Sequence, residues 1–348
     1  MRKLHYHIDR SPTCFDRIGL LAKGGPIFCL TDENVSRYCA PILEDVLGEG
    51  VDMHYLSLPP GEEQKTIKTC ERVWEWLLKS GAERDSMLIA LGGGVITDIG
   101  GFVASAYQRG IGNIAIPTTL LGMVDAAIGG KNGVDLNGYK NMVGMVRQPD
   151  DVLIHPPFLQ TLDARQKRAG FAEMLKHGVL ESPELFEQVS DLDLENEEAL
   201  EAVLPDVVEV KRALVERDPE ERSGERECLN FGHTVGHALE TLSFELGPPL
   251  LHGEAVAAGM IVEGFVSEAL AGFPGDELDE LIGALTARFS MPSLPRDELI
   301  VRTMGKDKKR RKGCIRGVLL ERIGIAVPGR ELREDVLRNA FDRYRKRV

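Results

Sequence analysis

The sequence predicts two domains: an α/β domain with a mostly parallel sheet over residues 1–160, and a mainly α-helical domain over residues 161–348. Three observations predict this. Up to about residue 157, short apolar runs alternate with amphipathic stretches, as strands joined by crossover helices do. Beyond that point strand signals nearly vanish and long helical periodicities take over. Within the first half, one apolar run ends in three consecutive glycines and leads into a helical pattern, which is how a buried parallel strand meets its helix.

The elements follow in order. Residues 26–30 read as a buried strand followed by the polar turn TDEN, and 51–58 as a second strand. Residues 67–78 have helical spacing, with Ile67, Cys70, Val73, Trp74 and Leu77 on one face. Residues 87–91 and 113–116 are further short strands, the latter ending at Pro117. In the second half, helices are expected over 163–180, 198–216, 234–242, 253–271 and 331–345. The second of these should break at Pro205, because proline lacks the amide that continues a helix. Residues 315–327 are expected to form a strand or a hairpin.

Composition narrows the function classes. A chain of 348 residues that is 43% apolar and 28% charged builds sizeable cores and is not disordered. Its net charge of −13 argues against a broad grip on nucleic acid, while leaving room for a locally basic pocket for a small anion. No apolar run approaches the roughly 18 residues of a membrane span, and MRKLHYHIDRSPTC lacks the apolar centre of a signal peptide. The expected location is the cytoplasm, with no membrane partner. The six cysteines are scattered without a CxxC pair, so they read as small core residues rather than a disulfide or zinc framework.

Two constellations carry chemistry. In MLIALGGGVITDIGG, glycines at a strand–helix turn let a ligand approach the backbone, and the helix start offers free amides to a phosphate. The pattern is not GxGxxG, and by itself it equally suits a tight turn. Asp98 sits where it could hold a ribose, orient a nicotinamide end or serve the helix dipole. The second constellation is histidine-rich. LNFGHTVGHALE puts His233 and His237 on one helix face, LLHGE opens the next helix with His252, and FAEMLKHG adds Glu173. Two or three imidazoles with one carboxylate and an open position form the usual catalytic zinc set. The residues alone do not say which of the four bind metal and which move protons. His177 reads as a surface residue or one behind the ligands, and His5, His7, His54 and His155 show no obvious partners.

Taken together, GGGVITDIGGFVASAYQRGI, IPTTLLGMVDAAIGGKNGVDLNGYKNMVG, FLQTL, AGFAEMLKHG, LNFGHTVGHALE and LHGEAVAAGM resemble the 3-dehydroquinate synthases of the sugar phosphate cyclase superfamily, over about residues 26–325. The resemblance implies a dehydroquinate synthase-like fold, with an NAD-binding α/β domain, a metal-binding helical domain and a homodimer. It implies a lyase of the shikimate pathway. The reaction converts 3-deoxy-D-arabino-heptulosonate 7-phosphate to 3-dehydroquinate and phosphate, by transient NAD oxidation, phosphate elimination, reduction and intramolecular aldol closure.

The resemblance also implies roles residue by residue. Glu173, His233 and His252 would hold Zn2+ or Co2+, leaving His237 for proton transfer or substrate contact. NAD would meet Asp32, Asn34, Glu62, Lys65, Gly93, Gly94, Asp98, Thr118, Thr119, Lys140, Phe158 and Thr161. The substrate would meet Asp125, Lys131, Asn141, Lys176, Lys211, Arg226, Asn230 and His237, with one of Lys308 and Lys309. Arg109 would reach the substrate phosphate across the dimer. His237, Lys176, Asn230 and Asp125 are the catalytic candidates. Arginine and lysine suit the carboxylate and phosphate, and asparagine and aspartate suit hydroxyls.

This chain departs from the family pattern in three places. GGKNGVD stands for the commoner GGKTAVN, placing Asn132 and Asp135 beside Lys131; KHG stands for KYG at His177; and Pro248 and Pro249 lie in the gap between His237 and His252. Two related activities compete with the synthase reading: a sibling sugar phosphate cyclase, whose substrate lacks the carboxylate, and a metal-dependent polyol dehydrogenase, which would release NADH. A non-catalytic NAD-binding scaffold is the third alternative, against which the complete ligand set argues.

Overall fold

The computed structural model describes residues 4–22, 25–48, 51–137, 139–305 and 314–348. It divides into two compact units, Met1–Asp163 and Ala164–Val348.

The first unit contains strands β1 (Tyr6–Ile8), β2 (Ile27–Asp32), β3 (Met53–Leu58), β4 (Met87–Gly92), β5 (Gly112–Pro117), β6 (Lys131–Leu136), β7 (Tyr139–Val146) and β8 (Asp151–Ile154). Six of them form one parallel sheet in the order β1-β8-β5-β4-β2-β3. Every residue of β4 is buried, as expected of a central strand covered on both faces. The helix Gly94–Ala106 lies so close to β4 that a Cβ on Gly100 would come within 2.6 Å of the Ala90 Cβ. Helix Ile67–Lys79 starts at Thr66, whose hydroxyl accepts from the Thr69 amide at 3.2 Å. It buries Cys70, Val73 and Leu77 in a core with Phe28, Leu30, Leu88, Ala90, Ile99 and Val103.

The chain leaves β2 toward β3 on one side and β4 toward β5 on the other. The carboxyl ends of β2 and β4 therefore flank the point where an open α/β sheet binds its ligands. Strands β6 and β7 form a separate antiparallel hairpin. Sequence patterning gave no strand for β1, β8 or this hairpin.

The second unit is built on helix His252–Ala271, which is buried along most of its length and apolar on nearly every face. Helices Ala164–Glu181 and His233–Leu246 pack on it through small residues. A Cβ on Gly259 would fall 1.9 Å from the Gly232 carbonyl oxygen, and one on Gly253 would fall 1.9 Å from that of Ala169. Strands β9 (Arg316–Arg322) and β10 (Ile325–Glu331) form a hairpin, and helix Glu334–Arg347 follows. The expected break at Pro205 is absent: one helix runs from Glu197 to Arg217. Pro205 lies on its exposed face, where water can replace the lost bond, while Val203, Leu204, Val207 and Val208 anchor both halves in the core. Among the described residues, no helix is long and apolar enough to cross a membrane.

Candidate active site and metal centre

In the second unit the helical register makes the centre. Glu173 and Lys176 are one turn apart on helix Ala164–Glu181 and point the same way. Both are buried, and the lysine ammonium pairs directly with Glu173 Oε2. His233 and His237 are one turn apart at the start of their helix, with ring centroids 5.1 Å apart. His252 opens the next helix, 5.2 Å from the His233 ring and 5.8 Å from the His237 ring. The three imidazoles each offer a nitrogen within 4.8 Å of the others.

Glu173 Oε1 lies 3.6 Å from the Nε2 atoms of both His233 and His252, and no donor hydrogen-bonds to it. The opposite ring nitrogens are engaged. His233 Nδ1 is 3.1 Å from the Phe231 carbonyl, and His252 Nδ1 is 3.4 Å from Glu240 Oε2. Both partners only accept, so each Nδ1 carries a proton, and the Nε2 atoms are the ones turned toward Glu173. Two imidazole nitrogens and a buried carboxylate oxygen facing one another suit a shared cation, which is a metal ion when one binds and a proton on His252 otherwise. These donors fit a zinc-type ion with an open position. In the protein without a bound metal, burial disfavours a charged His252, but the facing carboxylates of Glu173 and Glu240 push it up to about 10. Burial likewise works against an ionised Glu173, and Lys176 with His252 holds that carboxyl well below the usual range.

The anion-binding candidates of this unit approach on neighbouring segments. Arg226 and Asn230 are the two ends of a short 3-10 helix, Arg226–Asn230, that ends just before His233. Arg226 is buried and its Nη1 donates to the Pro219 carbonyl at 2.9 Å; Asn230 Nδ2 donates to Glu221 Oε1 at 3.3 Å. Lys211 is buried on helix Glu197–Arg217. Lys308 and Lys309 lie outside the described residues.

In the first unit, Asp32 ends β2 and caps the next helix, its Oδ1 accepting from the Asn34 and Val35 amides at 2.9 and 3.0 Å. Burial nevertheless pushes this carboxyl up. At the end of β4, Gly93 and Gly94 lie beside Thr118 and Thr119, which follow β5. A Cβ on Gly93 would meet Thr119 Cγ2 at 3.0 Å, and one on Gly94 would meet the Ala126 Cβ at 3.2 Å. No side chain caps this helix start, so its amides stay available to a phosphate.

Four of the predicted NAD residues pair among themselves: Lys65 with Asp98 at 2.5 Å and Lys140 with Glu62 at 3.2 Å. Thr161 and Phe158 share the 3-10 helix Pro156–Thr161, but the Phe158 ring is buried against Phe15 and His155, leaving its backbone as the part able to serve a ligand. Asp125 lies in the turn Gly122–Ala126, Lys131 opens β6, and Arg109 is exposed with a left-handed φ of 68°.

Several sequence readings need correction. His177 is fully buried rather than on the surface, and its Nδ1 bonds to the Val207 carbonyl at 3.1 Å. His155 has a partner, the Asp9 carbonyl at 3.1 Å; His7 meets Asp151, and His54 meets Asp52, each at 3.3 Å. Asn132 and Asp135 hold backbone. Asn132 Nδ2 donates to the carbonyls of Gly130 and Arg147, and Asp135 Oδ1 accepts from the Asn141 amide at 2.8 Å. Sequence reasoning missed Glu240, although it lies three residues after His237 and seven after His233, on the same face of the helix.

A family model for the N-terminal part of 3-dehydroquinate synthase matches residues 55–169, and its C-terminal counterpart matches residues 170–310. The chain belongs to the 3-dehydroquinate synthase family. It is an enzyme of that family by close relationship as well. It is 39% identical over 326 residues to the 3-dehydroquinate synthase of Parabacteroides distasonis, covering 92% of this chain and 91% of the relative. It is 36% identical over 352 residues to that of Nostoc sp., covering 97% and 96%. Among solved structures, 2-epi-5-epi-valiolone synthase from Streptomyces hygroscopicus subsp. jinggangensis, with NAD+ and Zn2+ bound, superposes with a TM-score of 0.89 at 28% identity, covering 100% of this chain and 99% of that one. A 2-deoxy-scyllo-inosose synthase shares the fold at a TM-score of 0.84 and 22% identity, covering 97% and 95%.

Proposed function

We propose that this member of the family performs the 3-dehydroquinate synthase reaction of the shikimate pathway with NAD and a divalent metal, zinc or cobalt. We further propose that it works as a homodimer in the cytoplasm. The observation that carries the reading is the convergence of the Nε2 atoms of His233 and His252 on Glu173 Oε1, with the Lys176 ammonium alongside. In this reading the first unit is the NAD domain and the second the metal and substrate domain. The relatives named 3-dehydroquinate synthase support the activity, and the NAD+ and Zn2+ of the valiolone synthase support the cofactors.

Glu173, His233 and His252 would hold the metal, and the ends of β2, β4 and β5 would cradle NAD. When bound, the metal supplies Lewis-acid polarisation of substrate hydroxyls, and NAD takes up and returns a hydride. Lys176 keeps a buried positive charge at the oxygens where negative charge develops. His237, beside the ligand pair but not needed to complete it, moves protons. Arg226 and Lys211 pair with the substrate carboxylate, and Asn230 orients a hydroxyl. Asp125, Lys131 and Asn141 are assigned to the substrate from the first unit, and Arg109 to its phosphate from across the dimer.

The test is to incubate the protein with NAD, zinc and 3-deoxy-D-arabino-heptulosonate 7-phosphate, then measure phosphate and identify product by mass spectrometry. Stoichiometric phosphate and 3-dehydroquinate are expected, without net NADH. No phosphate from protein shown to hold metal and NAD would refute the assignment and send the sibling sugar phosphates into the same assay. Accumulating NADH would point instead to a polyol dehydrogenase.

A further inference from the structure

We propose that Glu240 is a positioning residue for the metal site, fixing the His252 ring and tightening the grip of the site on its metal. The inference rests on the metal reading above and adds a residue to it. Glu240 is 3% exposed, and its Oε2 faces His252 Nδ1 at 3.4 Å. The other nitrogen of the same ring faces Glu173 Oε1 at 3.6 Å. The imidazole is thus held edge-on between two buried carboxylates. One can only take the Nδ1 proton, so the other side is left with the lone pair that a cation needs.

The two ligand histidines are not supported alike. His233 Nδ1 is held by a neutral backbone carbonyl, that of Phe231. His252 Nδ1 faces a charged acceptor, which makes its ring the more electron-rich ligand. The charge count points the same way. Among Glu173, Glu240 and Lys176, two negative charges stand against one positive, so a divalent ion brings this buried group to a net +1. Without Glu240 the same ion would have to be buried at +2, which a poorly solvated site resists. A purely structural role would be filled equally well by an uncharged amide of the same shape, and that difference makes the inference testable.

The experiment compares full-length wild type with Glu240→Gln, Glu240→Asp and Glu240→Leu. Zinc affinity is measured by competition with a chromophoric chelator, the ligand field by the visible spectrum of the cobalt form, and folding by thermal melting of the metal-free protein. Glu240→Gln keeps an acceptor but loses the charge, and should weaken zinc binding about tenfold; Glu240→Leu loses both and should weaken it about 100-fold. Glu240→Asp should recover part of the loss. The cobalt spectrum should shift in the same order, while the metal-free melting temperature of Glu240→Gln stays at the wild-type value. If Glu240→Leu fails to fold, the near-isosteric Glu240→Gln carries the test. Wild-type zinc affinity and cobalt spectrum in a folded Glu240→Gln would overturn the inference while leaving the metal reading intact. A wild-type protein that binds neither zinc nor cobalt would overturn the metal reading itself.

Discussion

Replacing Gly253 by alanine should disable the metal site without touching a ligand. Gly253 follows His252 at the start of helix His252–Ala271, where the helix crosses Ala169 of helix Ala164–Glu181, and Glu173 lies one turn beyond Ala169. A Cβ on Gly253 would lie 1.9 Å from the Ala169 oxygen, 2.5 Å from its carbonyl carbon and 2.6 Å from its Cα. Side-chain Cβ atoms do not approach other heavy atoms closer than 3.0 Å, so the segments must separate by at least 3.0 − 1.9 = 1.1 Å. The obstacle is backbone and cannot rotate away. The shift falls between Glu173 and His252, whose facing atoms are now 3.6 Å apart. Metal sites tolerate deviations of about 0.2 Å, so this displacement is several times too large.

Overpacking itself should cost about 1–3 kcal/mol of stability. Misplacing a reacting group by about 1 Å should lower turnover on the order of 100-fold, with a parallel loss of zinc affinity. The assay is chelator competition together with thermal melting. The control is Gly283→Ala on helix Gly275–Thr286, where nothing lies within 4 Å of an added Cβ. That change should add about 0.5–1 kcal/mol and leave zinc affinity alone. A folded Gly253→Ala protein that binds zinc as tightly as wild type would refute the claim that this crossing sets the ligand spacing.

Two further predictions concern charge. Asp98→Asn leaves the buried Lys65 ammonium without its 2.5 Å partner and should cost the first unit about 3 kcal/mol, near the low end for a broken buried pair because Glu62 and Asp135 also stabilise that charge. Both tryptophans, Trp74 and Trp76, lie in this unit, so urea unfolding followed by tryptophan fluorescence isolates the effect; an unchanged midpoint would contradict it. In the second unit, the Asp218 carboxylate gathers the amides of Arg222, Ser223, Gly224 and Arg226 at 2.7–3.3 Å, ordering the loop that leads to Arg226. Burial alone would raise this carboxyl, but those amides hold it well below its ordinary 3.8. Because the folded pKa is depressed, the stabilisation is present above pH 3.8 and is lost as pH falls from there toward the folded value. The melting-temperature gap between wild type and Asp218→Asn should therefore be widest near neutrality and begin to narrow below about pH 4; a gap that does not narrow on acidification would rule the mechanism out.

How much of this was legible in the sequence depends on how local the cause was. Strand β4 and its helix were readable because an apolar run, a glycine turn and a helical period adjoin within residues 87–106. The hairpin of β6 and β7 was not, because GGKNGVDLNGYKNMVG is glycine-rich and polar and has no clean alternation. Its pairing is held by particular bonds instead, from the Asn132 amide to two carbonyls and from the Asn141 amide to Asp135. Pro205 misled because local propensity was outweighed by the apolar face opposite it, which packs on both sides of the proline. His233 and His237 could be paired from spacing alone. Glu173 and His252, 79 residues apart, could not, since only the helix crossing at Gly253 brings them together.

The second unit buries several charged groups around its centre, and each carboxylate among them has a distinct partner. Glu263 is completely buried in the middle of helix His252–Ala271, and its two oxygens accept from the amides of Gly232 and Val235 at 2.8 and 2.9 Å. It therefore caps, from a neighbouring helix, the helix start that carries His233, satisfying amides that have no partner within their own helix. Glu240 faces His252. Lys176 occupies Glu173 Oε2 and leaves Oε1 toward the imidazoles. Three carboxylates thus do three different jobs: one fixes a helix, one fixes a ring, and one offers a single oxygen. Burying them costs several kcal/mol apiece unless each is compensated, and each has a contact that does so. Glu173 is paired through Oε2 with Lys176, and its Oε1 faces the Nε2 atoms of His233 and His252 at 3.6 Å. The metal reading therefore rests on Glu173 Oε1, the buried oxygen on which both Nε2 atoms converge, more than on the count of histidines around it.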